Sequence, residues 1–181
     1  LITASLLKPS PPGNLPKYKE AYLKGVEYLL SSQYENGGFP QYYPLKKGYY
    51  THITFNDDAM VGVLSLLRDI ANGNDDHKFV DEALRKRSEA AVTKSLALIL
   101  KLQVEIGGKK TVWAPQYDEI TFKPAWARKF EPPCLTAGES VGIVKFLIET
   151  YGQDKMTALL VALRDGNTVD DALIQTYGFD I

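Results

Sequence analysis

The residues able to do chemistry in this chain are few and grouped. Asp57 and Asp58 stand side by side in ITFNDDAMV, Arg128 and Lys129 are neighbours in PAWARKFE, and Lys145 sits in GIVKFL. Adjacent carboxylates at a helix start have two readings of equal weight. They complement the helix dipole as first-turn charges, or they offer oxygens to a hard cation whose remaining positions go to water and substrate. Arg128 alone reads as a planar fork that grips a carboxylate at two points. Lys145 alone reads as a solvated charge. Asp118, in the same stretch as Trp113 and Tyr117, and Glu139, at the start of its helix, are further candidates for substrate contact or support. Much else is excluded, because the chain has only two histidines, His52 and His77, and one cysteine, Cys134. A His-Glu-x-x-His zinc motif and a His-rich metal site are impossible, and no disulfide can close within the chain.

These groups sit in a chain of 181 residues, 45% hydrophobic and 24% charged, with enough apolar content for one packed domain. A formal net charge of −1 argues against nucleic acid and anionic membranes as partners. No apolar stretch approaches the roughly 18 to 20 residues of a membrane span. The opening LITASLLKPSPPG lacks the basic, apolar and small-residue regions of a signal peptide, so a targeting segment is expected to be absent from this chain.

The elements that must position the site follow from periodicity. Residues 1–16 are proline-rich and read as an arm or linker. From Tyr18 the pattern is helical through Tyr22, Val26 and Leu29 to about residue 33, and NGG at 36–38 stops it. Asn56 takes an N-cap position with Asp57 and Asp58 in the first turn of a helix ending near residue 71. A third helix covers about 77–104, halted by Gly107-Gly108, and a fourth covers 138–151. Two short amphipathic helices close the chain, with Met156, Leu159, Leu160 and Leu163, then Val169, Ala172 and Leu173, as packing positions. The expected division is an arm over 1–16, a helical domain over 17–151, and a helical appendage over 152–181 packed on that domain.

The stretches before the second and fourth helices are longer than the roughly 12 to 15 residues of an ordinary connection, so they read as functional. Up-and-down helices put both at one end of the bundle. An internal echo supports stacked units: Gln33, Gly37-Gly38 and Pro40-Gln41-Tyr42 reappear as Gln103, Gly107-Gly108 and Pro115-Gln116-Tyr117. The expected fold is all-α, helical hairpins in a partial α/α toroid, with long cleft-forming loops and at most short strands within 39–55 and 109–131. Tyr42, Tyr43, Tyr49, Tyr50, His52, Trp113, Tyr117 and Trp126 fall in those loops beside Asp118, Arg128 and Lys129. Aromatic faces beside charges suit a carbohydrate, and they equally suit a loop mini-core.

NGGFPQYYP, GYYTHITFNDDAMVGVLSLLRDIA, VWAPQYDEITFKPAWARKFEPP and GESVGIVKFL, in that order over about Tyr18 to Leu147, resemble the pectate lyases of the tenth polysaccharide lyase family. The resemblance implies calcium-assisted β-elimination on polygalacturonate and an extracellular location; a monomer is expected. It implies calcium at Asp57, with Asp58 as second choice, Arg128 as catalytic base, and Lys145 on a substrate carboxylate. Asp118, Trp113 and Tyr117 are the further substrate contacts expected. Asp57 and Asp58 fit an open calcium site, although the dipole of the helix they precede works against a nearby cation. A base role for Arg128 requires alkali or neighbouring cations, since a guanidinium holds its proton to above about pH 12. The family's upstream Asp-Asn pair and two downstream arginines have no counterpart here, and the sequence is expected to leave the family after Ile148. Weak substrate binding and low turnover are expected in consequence.

Two rival readings exist. A glycoside hydrolase on the same architecture needs two of Asp57, Asp118, Glu131 and Glu139 flanking a scissile bond. A carbohydrate-binding fragment keeps the aromatic cleft and has no turnover.

Overall fold

The computed structural model describes residues 15–178; the first 14 positions of the expected arm lie outside it. Six α-helices carry the fold: α1 Leu15–Ser32, α2 Ala59–Asn72, α3 Glu82–Lys101, α4 Ala137–Tyr151, α5 Gln153–Arg164 and α6 Val169–Tyr177. Four two-residue strands, β1 Ile53–Thr54, β2 Glu105–Ile106, β3 Lys109–Lys110 and β4 Gln116–Tyr117, pair as two small ladders. The protein is all-α.

Local chemistry sets the helix limits. Asp81 caps α3 by accepting from the Leu84 N–H at 2.8 Å, so α3 begins later than the expected residue 77; Asp75–His77 form only a 3-10 turn. Gly73, left-handed at φ 64°, ends α2 by donating to the Asp69 and Ile70 carbonyls. The core is built from one face of each helix: Tyr22 and Val26 from α1, Leu64, Leu67 and Ile70 from α2, Leu96 and Ile99 from α3, Ile143 and Phe146 from α4.

Side-chain contacts give the helix directions. Glu27 pairs with Arg87, and Gln33, just past the end of α1, donates to Ser95, further along α3. Asp58 lies against Gly142, and Arg68, further along α2, bonds Glu149, further along α4. Thus α1 runs parallel to α3, and α2 to α4. The stretches 33–58 and 102–136 therefore lie at the same end of the bundle. There the two Pro-Gln-Tyr echoes flank β1: Ile53 bridges Pro40 on one side and pairs with Tyr117 on the other.

The two Gly-Gly pairs do different work, and neither stops a helix as expected. Both Gly107 and Gly108 have positive φ and turn the β2–β3 hairpin, which places β2 just ahead of the loop where strands were expected. Gly37, at φ 93°, lets the first loop lie on α3: a Cβ there would stand 2.5 Å from the Lys94 carbonyl oxygen.

At the C-terminal end, Met156, Leu159, Ala162 and Ala172 are buried, Leu163 is partly buried, and the Tyr151 and Tyr177 rings meet edge-on at 4.8 Å. Lys155 Nζ donates to the Thr176 carbonyl. Leu160, an expected packing position, is 59% exposed. The side chains of Val169 and Leu173 lie outside what the structure describes.

Candidate active site

The turn that carries Asp57 and Asp58 starts where β1 ends. The N–H groups of Phe55 and Asn56 both donate to the Pro115 carbonyl, at 2.9 and 3.1 Å, so the second loop fixes the turn's entry. Asp57 then adopts φ 54°, ψ 33° and Asp58 φ 56°, ψ 23°. Two successive left-handed residues without a glycine are uncommon, and aspartate is among the few residues that tolerate the conformation. This corrects the expected helix start. Neither carboxylate lies in the first helical turn, and Asn56 is not the cap; Asp58 precedes α2 and makes no side-chain cap bond. The physical reason is the backbone itself, since left-handed Asp57 and Asp58 cannot belong to a right-handed helix, which therefore begins at Ala59.

Both carboxylates are exposed in front of α2. Asp57 Oδ2 accepts from Asn56 Nδ2 at 3.2 Å. Asp58 Oδ1 occupies space over α4 that only a glycine leaves open, 2.7 Å from where a Gly142 Cβ would be. A cavity of about 270 Å³ opens beside Asp57, lined among others by Tyr28, Gln41, Tyr42, Tyr43 and Asn56.

Arg128 is forked onto Glu131. Its Nε donates to Oε2 at 2.8 Å, a terminal nitrogen donates to Oε1, and its backbone N–H donates to Oε2 at 3.1 Å. The Glu131 carboxylate holds the guanidinium pKa above its usual value, and the charges of Tyr49 and Asp57 act in the same direction. In return Arg128 holds Glu131 below the ordinary carboxylate range. Asp57 and Arg128, far apart in sequence, are therefore within electrostatic reach of each other. Tyr49 and Tyr50 stack beside them with centroids 4.2 Å apart.

Lys145 is one turn beyond Gly142 on α4, and its exposed ammonium lies 3.7 Å from Glu149 Oε1, while Arg68 holds the other oxygen of that carboxylate, Oε2, at 3.3 Å. Asp118 accepts from the Ile120 and Thr121 N–H groups at 3.1 and 2.7 Å; the Thr121 bonds come first in lowering its pKa, with the charge of His52 contributing.

Trp113 and Tyr117 are core residues, which corrects the expectation that they touch substrate. Trp113 is 4% exposed, with its indole N–H donating to the Ile99 carbonyl at 2.7 Å. Tyr117 is 1% exposed, packs edge-on against Phe55, and accepts from the Ala114 N–H. Each is large enough to hold the second loop down on the bundle and has its polar atom satisfied there. Glu139 accepts from the Thr136 hydroxyl at the start of α4. Glu131 is thus engaged by Arg128, one oxygen of Asp118 by its own turn, and Glu139 by Thr136.

Residues 12–165 match the family model for pectic acid lyase. The chain belongs to the pectic acid lyase family. A solved family 10 polysaccharide lyase from Cellvibrio cellulosa is similar at 39% identity and TM-score 0.74, covering 78% of this chain and 44% of that one. An Asp-to-Ala mutant of a family 10 polysaccharide lyase from the same organism, in complex with trigalacturonic acid, is similar at 39% identity and TM-score 0.73, covering 75% and 43%. The chain thus spans less than half the length of these relatives. No curated protein sequence matches it. The lyase-family match runs through α5 to Asp165, which corrects the expected departure after Ile148.

Three participants escaped the sequence. Glu131 as the partner of Arg128 had a usable signal, opposite charges three residues apart. Tyr49 was seen only as one loop aromatic among many. Pro115, which orients the Asp57 turn through its carbonyl, carries no signal beyond its place in an echoed tripeptide.

Proposed function

We propose that this domain performs pectate lyase chemistry, β-elimination on polygalacturonate, with calcium. The observation that carries the reading is that Asp57 and Arg128, each on its own loop, come within electrostatic reach in a chain of the lyase family. The reaction removes the proton from C5 of a uronate, forms the C4–C5 double bond, and expels the C4 oxygen, which is then protonated by solvent. Arg128, in its neutral form, takes the C5 proton. Glu131 opposes that form, so the substrate must draw Glu131 off the guanidinium or the reaction must run in alkali. Lys145, drawn from Glu149, holds a substrate carboxylate, and the half-buried Tyr49 and exposed Tyr42 rings support sugar rings.

The donor set suits calcium. Asp57 and Asp58 offer exposed carboxylate oxygens and Asn56 an amide oxygen, all hard donors that leave positions open for water and substrate. When bound there, the ion withdraws charge from the uronate carboxylate and so lowers the cost of carbanion development. On this reading the helical hairpins are a segment of an α/α toroid, the domain over 17–151 carries the site with the closing helices α5 and α6 docked against it, and the protein acts as an extracellular monomer.

Polygalacturonate incubated with the chain should yield an unsaturated uronide that absorbs in the ultraviolet. Chelation should abolish that product and leave the helical circular dichroism signal in place. New reducing ends without ultraviolet absorbance would establish a hydrolase instead. Substrate binding with neither product would establish a binding module. A chelator that melts the helices would show calcium to be structural.

A further inference from the structure

Among the described residues, a cluster of metal-ligand types lies away from the Asp57 turn. One ring nitrogen of His52, a carboxylate oxygen of Asp118 and one of Glu119 lie within 4.8 Å of one another, and all three residues are half-buried. The geometry points to a second, separate metal site here, one that binds a divalent first-row transition ion such as zinc and ties the two long loops together.

The fold brings these groups together for a simple reason. β1 and β4 pair antiparallel with Ile53 opposite Tyr117 and Thr54 opposite Gln116, so one further step of the register sets His52 opposite Asp118. Opposed residues on an antiparallel pair place their side chains on one face. Glu119 follows directly, its backbone fixed by Asn36 Nδ2, which donates to its carbonyl at 2.9 Å.

Two independent features point to a cation. The first is Glu119 Oε2, a fully buried carboxylate oxygen with no hydrogen-bond partner among the described residues. Burying such an atom unpaired is costly, and a cation satisfies it. The second is the fully buried Gln116, whose Oε1 stands 3.4 Å from His52 Nδ1. An amide oxygen accepts only, so it selects the tautomer protonated at Nδ1 and leaves the Nε2 lone pair for a metal. This is the outer-shell arrangement that orients ligating histidines elsewhere.

The donor set also separates this site from the proposed calcium site. One imidazole and two carboxylates match zinc and its first-row neighbours, whereas calcium takes oxygens alone. Zinc bonds near 2.0 to 2.2 Å place tetrahedral ligand atoms roughly 3.4 Å apart, within reach of small side-chain rotations from the observed separation. A bound ion cross-links His52 of the first loop to Asp118 and Glu119 of the second. Phe55 and Asn56, which lead into the Asp57 turn, follow three and four residues after His52.

The test is zinc titration of the full chain after chelation and dialysis. One equivalent should bind, with the melting temperature rising by several degrees in excess zinc. His52→Gln and Glu119→Gln should each weaken zinc binding by well over about tenfold, the loss seen even for outer-shell partners. Asp57→Asn and Cys134→Ser should leave zinc binding unchanged, so failure of this site and failure of the calcium reading are told apart. Nitrogen NMR of the two histidines needs no variant. Zinc should move the His52 ring signals and spare His77, whose Nδ1 is 2.8 Å from the Tyr22 hydroxyl. The proposal is overturned if zinc binds no tighter than about 1 mM, if both ligand variants bind it normally, if Asp57→Asn abolishes binding, or if only His77 responds.

Discussion

Replacing Asp57 by glycine and by alanine separates what this residue does to the fold from what it does in the reaction. The residue sits at φ 54°, ψ 33° and is exposed, so neither change empties any of the core. An alanine held in the left-handed region costs roughly 1 to 2 kcal/mol that a glycine does not. Glycine gives back about 0.4 to 1 kcal/mol, because its unfolded chain is more flexible. Asp57→Gly should therefore be more stable than Asp57→Ala by about 0.5 to 1 kcal/mol. For a chain of this length that is about 1 to 4 °C in melting temperature, read by circular dichroism. Both variants lose the carboxylate, and lyase turnover should fall equally in both. An alanine variant as stable as the glycine variant would refute the strained-turn argument. A glycine variant with wild-type turnover would remove Asp57 from the calcium site and leave the turn argument intact.

Glu131→Gln removes the group that most raises the Arg128 pKa, so the free guanidine becomes more abundant at any given pH. With Arg128 as the base, the pH–rate profile should move to lower pH; an unchanged profile would make Arg128 a clamp. Arg128→Lys should then lower kcat by at least the roughly 100-fold typical of a lost general base, whereas a lost clamp raises KM. Burial pushes the Tyr117 phenol from 10.0 up to about 12. Its raised folded pKa means that its contribution to stability is complete below pH 10 and is lost as pH climbs from there toward 12. Urea midpoints should fall across that window, and Tyr117→Phe should flatten the fall while lowering stability at neutral pH, since the Ala114 N–H loses its acceptor. A fall equally steep in the variant would assign alkaline lability to other groups.

Much of this protein was legible before its structure. Helical periodicity placed α1, α2, α4 and the two closing helices, because a core of packed helices demands one apolar stripe from each, and Val26, Leu64, Ile143 and Phe146 supply it. Irregular motifs around Asp57, Arg128 and Lys145 identified the family, since strings so long and irregular do not match by chance. What periodicity and motif do not encode is the relation between segments distant in the chain. The Pro115 carbonyl of the second loop fixes the entry to the turn, where the two aspartates take left-handed conformations outside a helix that starts at Ala59. Trp113 and Tyr117 look like sugar platforms by type, yet their indole and phenol find buried backbone partners and become the rivets of the second loop. Nothing local marks His52 as facing Asp118, for only the β1–β4 register aligns them. Local patterns fix elements because they act through near neighbours, whereas which loop carbonyl or carboxylate meets which side chain is settled only once the bundle has brought both loops to the same end.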